Sequence, residues 1–433
     1  MKIHKEFFRY VIPSMLSFAL SGVYAIADGF FVGNALGDNA LAAVNMAFPL
    51  TAFLQAVGTG IGMGGAILYS ISIGNNDEEK SRQYFGMSSL ALVALGILFT
   101  VLFLIAAPAV LHLFGAVGEI QLLGEEYLKY IAFGAIFQVL GTGLVPFIRN
   151  MDSAVIAMVA MITGFITNIF LDYLFVWVLP WGMMGAAVAT DIGQAMTFLV
   201  CLIFFLVKKK KPSFQFKENA LHIFFRICKV GLSPFGLTYS PNITLILVNK
   251  SAAIFGGAVA VTCYAPISYI SAVVMLLLQG VSDGSQPLLS LSYGRRELAQ
   301  VKVLRGLAYR FAFIVSVFCA IFLFLVREQA ASLFGASAQI TKNVASILPI
   351  FIAGFIFVSI SRVTTAYFYA TSKNLLAYVL IYGEPLFLLI LQLCLPLMFG
   401  ITGTWAAVPL SQILAMLISI IYLARENRNL TKQ

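Results

Sequence analysis

The chain has 433 residues, of which 61% are hydrophobic and only 10% charged, with a formal net charge of +9. An average soluble domain carries about 25% charged residues, so water-soluble enzymes, disordered chains and collagen-like or disulfide-rich secreted proteins are excluded, a polytopic membrane protein remains, and the positive charge reads as basic cytoplasmic loops rather than a nucleic-acid surface. The five cysteines, Cys201, Cys228, Cys263, Cys319 and Cys394, sit in or beside apolar runs without metal-ligand spacing and read as small hydrophobes.

A helix needs about 20 apolar residues to cross the hydrocarbon core. That rule predicts twelve spans, at 7–33, 41–74, 84–110, 125–150, 155–179, 184–207, 222–250, 257–290, 303–326, 343–371, 375–398 and 404–424. The first is too long for a cleaved signal sequence and is interrupted by Pro13 and Asp28, so it is a retained span. With the N-terminus inside, 22 of the 27 Lys and Arg residues fall in inner segments. This bias predicts both termini in the cytoplasm. The run Lys208–Lys211 with Pro212 marks a cytoplasmic linker, residues 208–221, between an N-terminal lobe (1–207) and a C-terminal lobe (222–433).

Along span 1, Ser14, Ser17, Ser21, Tyr24 and Asp28 recur at helical spacing and form one polar stripe. Pro13 precedes the stripe and is expected to bend the helix, coupling ion binding at Asp28 to its shape. In span 5, Asn168 and Asp172 are one turn apart, and in span 6 Thr190 and Asp191 lie near the outer start. Counted at ~1.5 Å per residue, Asp28, Asp172, Thr190 and Asp191 converge about 8–10 Å below the outer surface. Two carboxyls, an amide oxygen and a hydroxyl are hard oxygen ligands that suit Na⁺, or a proton carried on a carboxyl.

In span 8, Asp283 follows Ser271, Met275 and Gln279 at steps of four; it lines an inner cavity mouth or caps local backbone. Arg362 in span 10 and Glu384 in span 11 fall at one depth and are expected to form a buried ion pair that locks the C-terminal lobe. Tyr24, Met63, Tyr264, Met275 and Tyr369, with Asp283, are candidates for a cation-friendly substrate cavity.

The two halves repeat. Leu113-Phe-Gly-Ala116 recurs as Leu333-Phe-Gly-Ala336, and Ser72-Ile-Gly74 as Ser292-Tyr-Gly294, both at a shift of 220. Pro49 matches Pro266 at 217, while Gly182, Gly185 and Gln194 match Gly400, Gly403 and Gln412 at 218. Six spans per half return the chain to its starting side, so the lobes are expected to be related by a pseudo-two-fold along the membrane normal, with a cavity between them.

At these residues the chain resembles the multidrug and toxic compound extrusion (MATE) family. The resemblance rests on Pro13 with Asp28-Gly-Phe-Phe-Val-Gly33, Asn39-Ala-Leu-Ala-Ala43, Gly182-Met-Met-Gly-Ala-Ala-Val-Ala-Thr190, Gln286-Pro287 and Tyr293-Gly294, and covers essentially the whole chain. It is similar to the prokaryotic DinF-like branch. The resemblance implies an all-α fold of twelve transmembrane helices in two six-helix lobes, and a cation site at Asp28, Asn168, Asp172 and Thr190. It also implies export of cationic amphipathic drugs in exchange for H⁺ or Na⁺, by a monomer with no other cofactor. Asp191, Arg362 and Glu384 depart from that pattern. A lipid-linked oligosaccharide or lipid flippase of the same superfamily is the alternative, but five intramembrane acids against one Arg favour a cationic cargo. An enzyme is not expected: His4, His112 and His222 are far apart, and no phosphate-binding glycine loop is present.

Overall fold

The computed structural model describes residues 2–113, 116–216, 219–330, 332 and 337–430. Helices run in the order α1 (Lys2–Leu36), α2 (Asp38–Gly74), α3 (Glu78–Leu113), α4 (Gly118–Asn150), α5 (Ala154–Asp172) and α6 (Gly182–Val207). A π-helical turn, Tyr173–Val178, continues α5. The stretches Ala220–Gly294 and Asn374–Leu430 are each broken once, at Gly257 (φ 62°) and Gly400 (φ 56°), where only glycine adopts the left-handed backbone without strain. The breaks give α7 (220–256), α8 (258–294), α11 (374–399) and α12 (401–430). Between them lie α9 (Leu298–Leu325), a short turn Arg327–Ala330, and α10 (Ala338–Ala370).

Twelve long apolar helices and no strand are therefore present among the described residues. They overrun the predicted spans, as α1 does by reaching Lys2 and Leu36, because backbone hydrogen bonding carries a helix past its apolar segment. Phe114, Gly115 and Leu333–Ala336 of the repeated motif, and Lys217 of the linker, lie outside the described residues.

The repeat reappears in the corners. Positive-φ residues pair as Gly37 with Gly257, Asn76 with Arg296, Asp152 with Ser372, and Gly182 with Gly400. The first three pairs are 220 residues apart and the last 218. The first copy therefore holds two more residues between its last two corners, the stretch that contains the π-helical turn.

The helices group into two compact units. One comprises residues 1–15, 240–289 and 298–433; the other comprises 16–239 and 290–297. In the second unit, α2 carries Gly58, Gly60, Gly62, Gly64 and Gly65, and neighbouring helices close onto that comb. A Cβ on Gly60 would meet Phe235 and Gly231 of α7 at 3.0–3.1 Å, and one on Gly64 would meet Ile227 and Gly231 at 2.6–2.8 Å. Small residues permit this backbone approach, which is how helices bind one another where lipid removes the hydrophobic drive. The first unit repeats the contact with the corresponding residues: Gly280 and Gly284 of α8 close onto Met15 (2.5 Å) and Val11 (2.8 Å) of α1. Gly60 and Gly280, Gly64 and Gly284, Gly231 and Val11, and Phe235 and Met15 are each 220 positions apart. The second unit also holds a reciprocal contact, Gly74 against Leu291 and Gly294 against Ile71.

The remaining faces are apolar and exposed. On α1, Ile12, Leu16, Leu20, Val23 and Phe30 point outward, while Ser14 and Ser17 are buried on the opposite side. Trp177 stacks on Phe30, with ring centroids 6.2 Å apart, near one end of the apolar band, where amphipathic rings settle at a membrane interface. These surfaces are what a multi-pass membrane protein presents to lipid.

Candidate functional site

The site begins where α5 meets α6. Gly164 and Gly193 lie backbone to backbone, a Cβ on Gly164 standing 2.7 Å from Gly193 O and one on Gly193 2.9 Å from Asn168 Cβ. Bulkier residues there would hold the helices apart. With glycines, Asn168 on α5 reaches Thr190 on α6, donating from Nδ2 to Oγ1 at 3.3 Å. One turn further, Asp172 is wholly buried at 0% exposure. It ends α5 and opens the π-helical turn, and such bulges recur at functional sites because they re-aim the residues beside them.

From α1, Asp28 brings its carboxyl up to that of Asp172. Neither oxygen of Asp172, nor Oδ1 of Asp28, nor Oδ1 of Asn168 has a hydrogen-bond donor, and all four atoms are buried. Buried acceptors almost always find a donor. Four such oxygens, two carboxyls among their sources, are the kind of acceptors a proton or a cation would satisfy.

Tyrosines complete the surroundings. Tyr24, one turn before Asp28, approaches Thr190 and lies within the fields of Asp28, Asp172 and Asp191. Its ring stacks on Phe165 of α5 with centroids 5.2 Å apart and planes 11° from parallel. Tyr127 on α4 is buried and senses Asp28, Asp172, Asp191 and Tyr24. Sequence reasoning did not single it out, since nothing in its neighbourhood separates it from the other tyrosines of an aromatic-rich chain. Asp191 is half-buried on α6 and turns toward α4, where its carboxylate lies against Gly134. Pro13 is buried inside α1, which continues through it as one helix.

The remaining candidates are placed elsewhere. Asp283 of α8 is buried and accepts a hydrogen bond from the Tyr369 hydroxyl at 2.8 Å. Tyr264 packs in a buried cluster with Phe351 and Trp405 at centroid distances of 5.9–6.0 Å. Met63 is fully buried on α2, whereas Met275 is half-buried. Arg362 is 7% exposed, and its Nε and Nη1 have no hydrogen-bond partner. Glu384 lies within the field of Arg362, but the two do not close into a direct ion pair, so the expected buried bridge is a longer-range attraction in this structure. Among the described residues no three His, Cys, Asp or Glu side chains gather as a metal cluster.

The MatE family model matches residues 13–174 and 240–393. Over 434 residues the chain is 23% identical to the multidrug export protein MepA of Staphylococcus saprophyticus, covering 99% of this chain and 96% of that protein. It is 24% identical to MepA of Staphylococcus haemolyticus, covering 98% and 94%. Among solved structures, a MATE protein in complex with MaL6 superposes with a TM-score of 0.92 at 25% identity, over 100% of this chain and 98% of that one. A MOP superfamily transporter from Pyrococcus furiosus, with a binding pocket of reverse polarity, gives a TM-score of 0.93 at 24% identity, over 100% and 97%. The fold is thus that of a polytopic membrane transporter with twelve helices in two lobes. The chain belongs to the MatE family.

Proposed function

We propose that this protein is a secondary multidrug antiporter of a bacterial plasma membrane, with both termini cytoplasmic, acting as a monomer. It exports cationic amphipathic compounds by alternating access, in exchange for H⁺ or Na⁺. Its lobes in this reading are residues 1–207 and 222–433, joined by 208–221. The observation that carries the reading is the set of four donorless buried oxygens on Asp28, Asn168 and Asp172, beside Thr190. Such a cluster inside an apolar bundle costs free energy unless a cation visits it. The full-length similarity to multidrug export proteins supports efflux of drugs.

Asp28 and Asp172 take up the coupling cation, Asn168 and Thr190 fix the space between them, and Pro13 lets α1 respond when the charge at Asp28 is neutralised. Cation and drug each favour a different conformation, so binding of one must weaken the other by the same factor. Tyr24, Met63, Tyr264, Met275, Asp283 and Tyr369 are the candidates for drug contact in this reading. The preponderance of acids within the spans disfavours a phosphate-bearing lipid cargo.

The test is transport in proteoliposomes under an imposed Na⁺ or H⁺ gradient, comparing wild type with Asp28→Asn and Asp172→Asn. Uptake of a cationic dye that follows one gradient in wild type and collapses in both variants is expected. Undiminished coupled uptake in both would overturn the site.

A further inference from the structure

The segment that follows α6 is tied down as a strap across α3. Lys209 takes a left-handed backbone (φ 51°) just past the end of the helix, and Pro212 disfavours helical backbone at Lys211. The chain then crosses the start of α3. Ser213 N donates to Arg82 O and Gln83 Nε2 donates to Gln215 O, both at 3.0 Å. Gly86 makes room for the crossing, since a Cβ there would stand 2.0 Å from Ser213 O. With residues 213 and 215 held on α3, Phe214 between them is left 54% exposed.

The other half of the repeat has no such strap. Gly306 on α9 is the counterpart of Gly86, 220 residues on, and nothing stands within 4 Å of the place its Cβ would take. At the 218-residue shift, Lys208–Lys211 correspond to Glu426, Asn427, Arg428 and Asn429. There α12 runs on without a turn, and Glu426 pairs with Lys373. The repeated skeleton therefore requires neither the crossing nor the four lysines.

The surroundings of the strap show what it meets. Leu206 and Val207, the last residues of α6, are strongly exposed, as are Leu221 and Phe225 at the start of α7. Apolar side chains so placed face lipid, and the lysines after them emerge at the edge of the apolar band, level with phospholipid headgroups. Lys208–Lys211 are all exposed, and none has an acidic partner among the described residues. The carboxylate that touches the strap, Glu79, stands 3.5 Å from Ser213 Oγ and is engaged by Arg82 at 3.4 Å. Arg226 of α7, over the ring of Tyr84 at 5.9 Å, adds a further positive charge on α7. Topology alone asks for basic residues on one side of the membrane; it does not ask for a backbone tied in place beneath them. Four ammonium groups and an outward phenyl ring on a fixed backbone suit a surface that is anionic at its face and apolar beneath. A soluble acidic partner would leave the ring without a use. We infer that Lys208–Lys211 and Phe214 form a binding surface for anionic phospholipid headgroups, which anchors the adjoining ends of α3 and α6 at headgroup level.

The experiment places the full-length protein, carrying Phe214→Trp, in vesicles of equal parts phosphatidylglycerol and phosphatidylcholine, with bromine on the acyl chains of one lipid or of the other. Bromine quenches tryptophan at contact, so the difference from wild type reads which lipid lies beside residue 214. Brominated phosphatidylglycerol is expected to be favoured about threefold or more, and combining Lys208→Gln, Lys209→Gln, Lys210→Gln and Lys211→Gln should bring that ratio to about one. Raising KCl from about 0.1 to about 1 M, which shortens the Debye length from ~10 to ~3 Å, should lower the preference in the Phe214→Trp protein as well. Equal quenching by the two lipids overturns the proposal, as does a preference that the four Gln substitutions leave intact. If that variant does not accumulate, a preference untouched by high salt is equally fatal. Loss of the preference on adding inorganic phosphate at constant ionic strength would assign the surface to a free anion and also overturn the lipid. The readout needs no transport, so its failure and a failure of the antiport reading are told apart.

Discussion

The two halves of this chain share a skeleton and differ in chemistry. Their corners recur at Gly37 and Gly257, Asn76 and Arg296, Asp152 and Ser372, and the same glycine contacts join α2 to α7 and α8 to α1. At the positions matching the proposed cation pocket, however, the second half carries Val248 for Asp28 and Val408 for Thr190. Across the stretch 386–392, matching Asn168 to Asp172, it offers only Leu, Phe, Ile and a single Gln392. The π-helical turn after Asp172 has no equivalent within α11. What the repeat preserves is backbone approach; what it has let diverge is charge. Shared architecture is thus set by the small residues, and function by a few polar substitutions laid over it.

The comparison can be broken at several points. The largest effect is expected at Asp172→Asn, where coupled uptake should fall by about a hundredfold or more, while Val408→Thr in the second half should change it by less than about twofold; removing an essential charge costs several kcal/mol, each ~1.4 kcal/mol being a factor of ten. Equal losses in the two halves would show that the asymmetry has no functional meaning. Next come Arg362→Glu and Glu384→Arg, each expected to cut the yield of folded protein by roughly tenfold, because an uncompensated buried charge costs about 3–5 kcal/mol. The double reversal should recover part of that yield by size-exclusion chromatography; a double variant no better than either single one would show that their attraction is negligible.

Smaller and matched effects should come from the shared skeleton. Gly64→Ala and Gly284→Ala each force a methyl into backbone of the neighbouring helix. Overpacking of this kind costs about 1–3 kcal/mol, so both should lower the melting temperature in detergent by similar amounts. A large effect in one half alone would contradict the equivalence. The smallest change is expected at Pro13→Ala, where transport should fall about two- to threefold with folding intact, since the proline bends a helix rather than binding anything. Full transport by that variant would remove Pro13 from the mechanism.

Much of the architecture was legible in the sequence because membrane spans announce themselves by length and apolarity. All twelve predicted spans overlap helices, and the buried side of α1 is the serine stripe read from its spacing. Depth counting along α5 and α6 put Thr190 level with Asp172 and Asn168 one turn deeper, whereas in the structure it is Asn168 that donates to Thr190, at 3.3 Å. What depth could not give was direction around a helix. Asp191 shares a level with Thr190 but faces α4, and only the absence of a side chain at Gly134, distant in the chain, makes that orientation possible. Tyr127 was missed because its local sequence looks like that of the other tyrosines in an aromatic-rich chain. Arg362 and Glu384 were expected to pair; Glu384 lies within the field of Arg362, but no direct ion pair closes between them. The π-helical turn left no compositional trace, because its extra residues are as apolar as their neighbours.

The reciprocal contact, Gly74 on Leu291 and Gly294 on Ile71, carries a history. A surface that meets its own copy in this way is the signature of a two-fold homodimer. Fused into one chain, such a dimer no longer has to keep its subunits identical. Every polar change in a true homodimer is made twice, so two acid pockets would arise or none. In one chain that obligation is gone, and each half is free to carry its own polar residues: Asp28, Asn168 and Asp172 in one, Asp283, Arg362 and Glu384 in the other, around helix ends that still meet glycine to backbone.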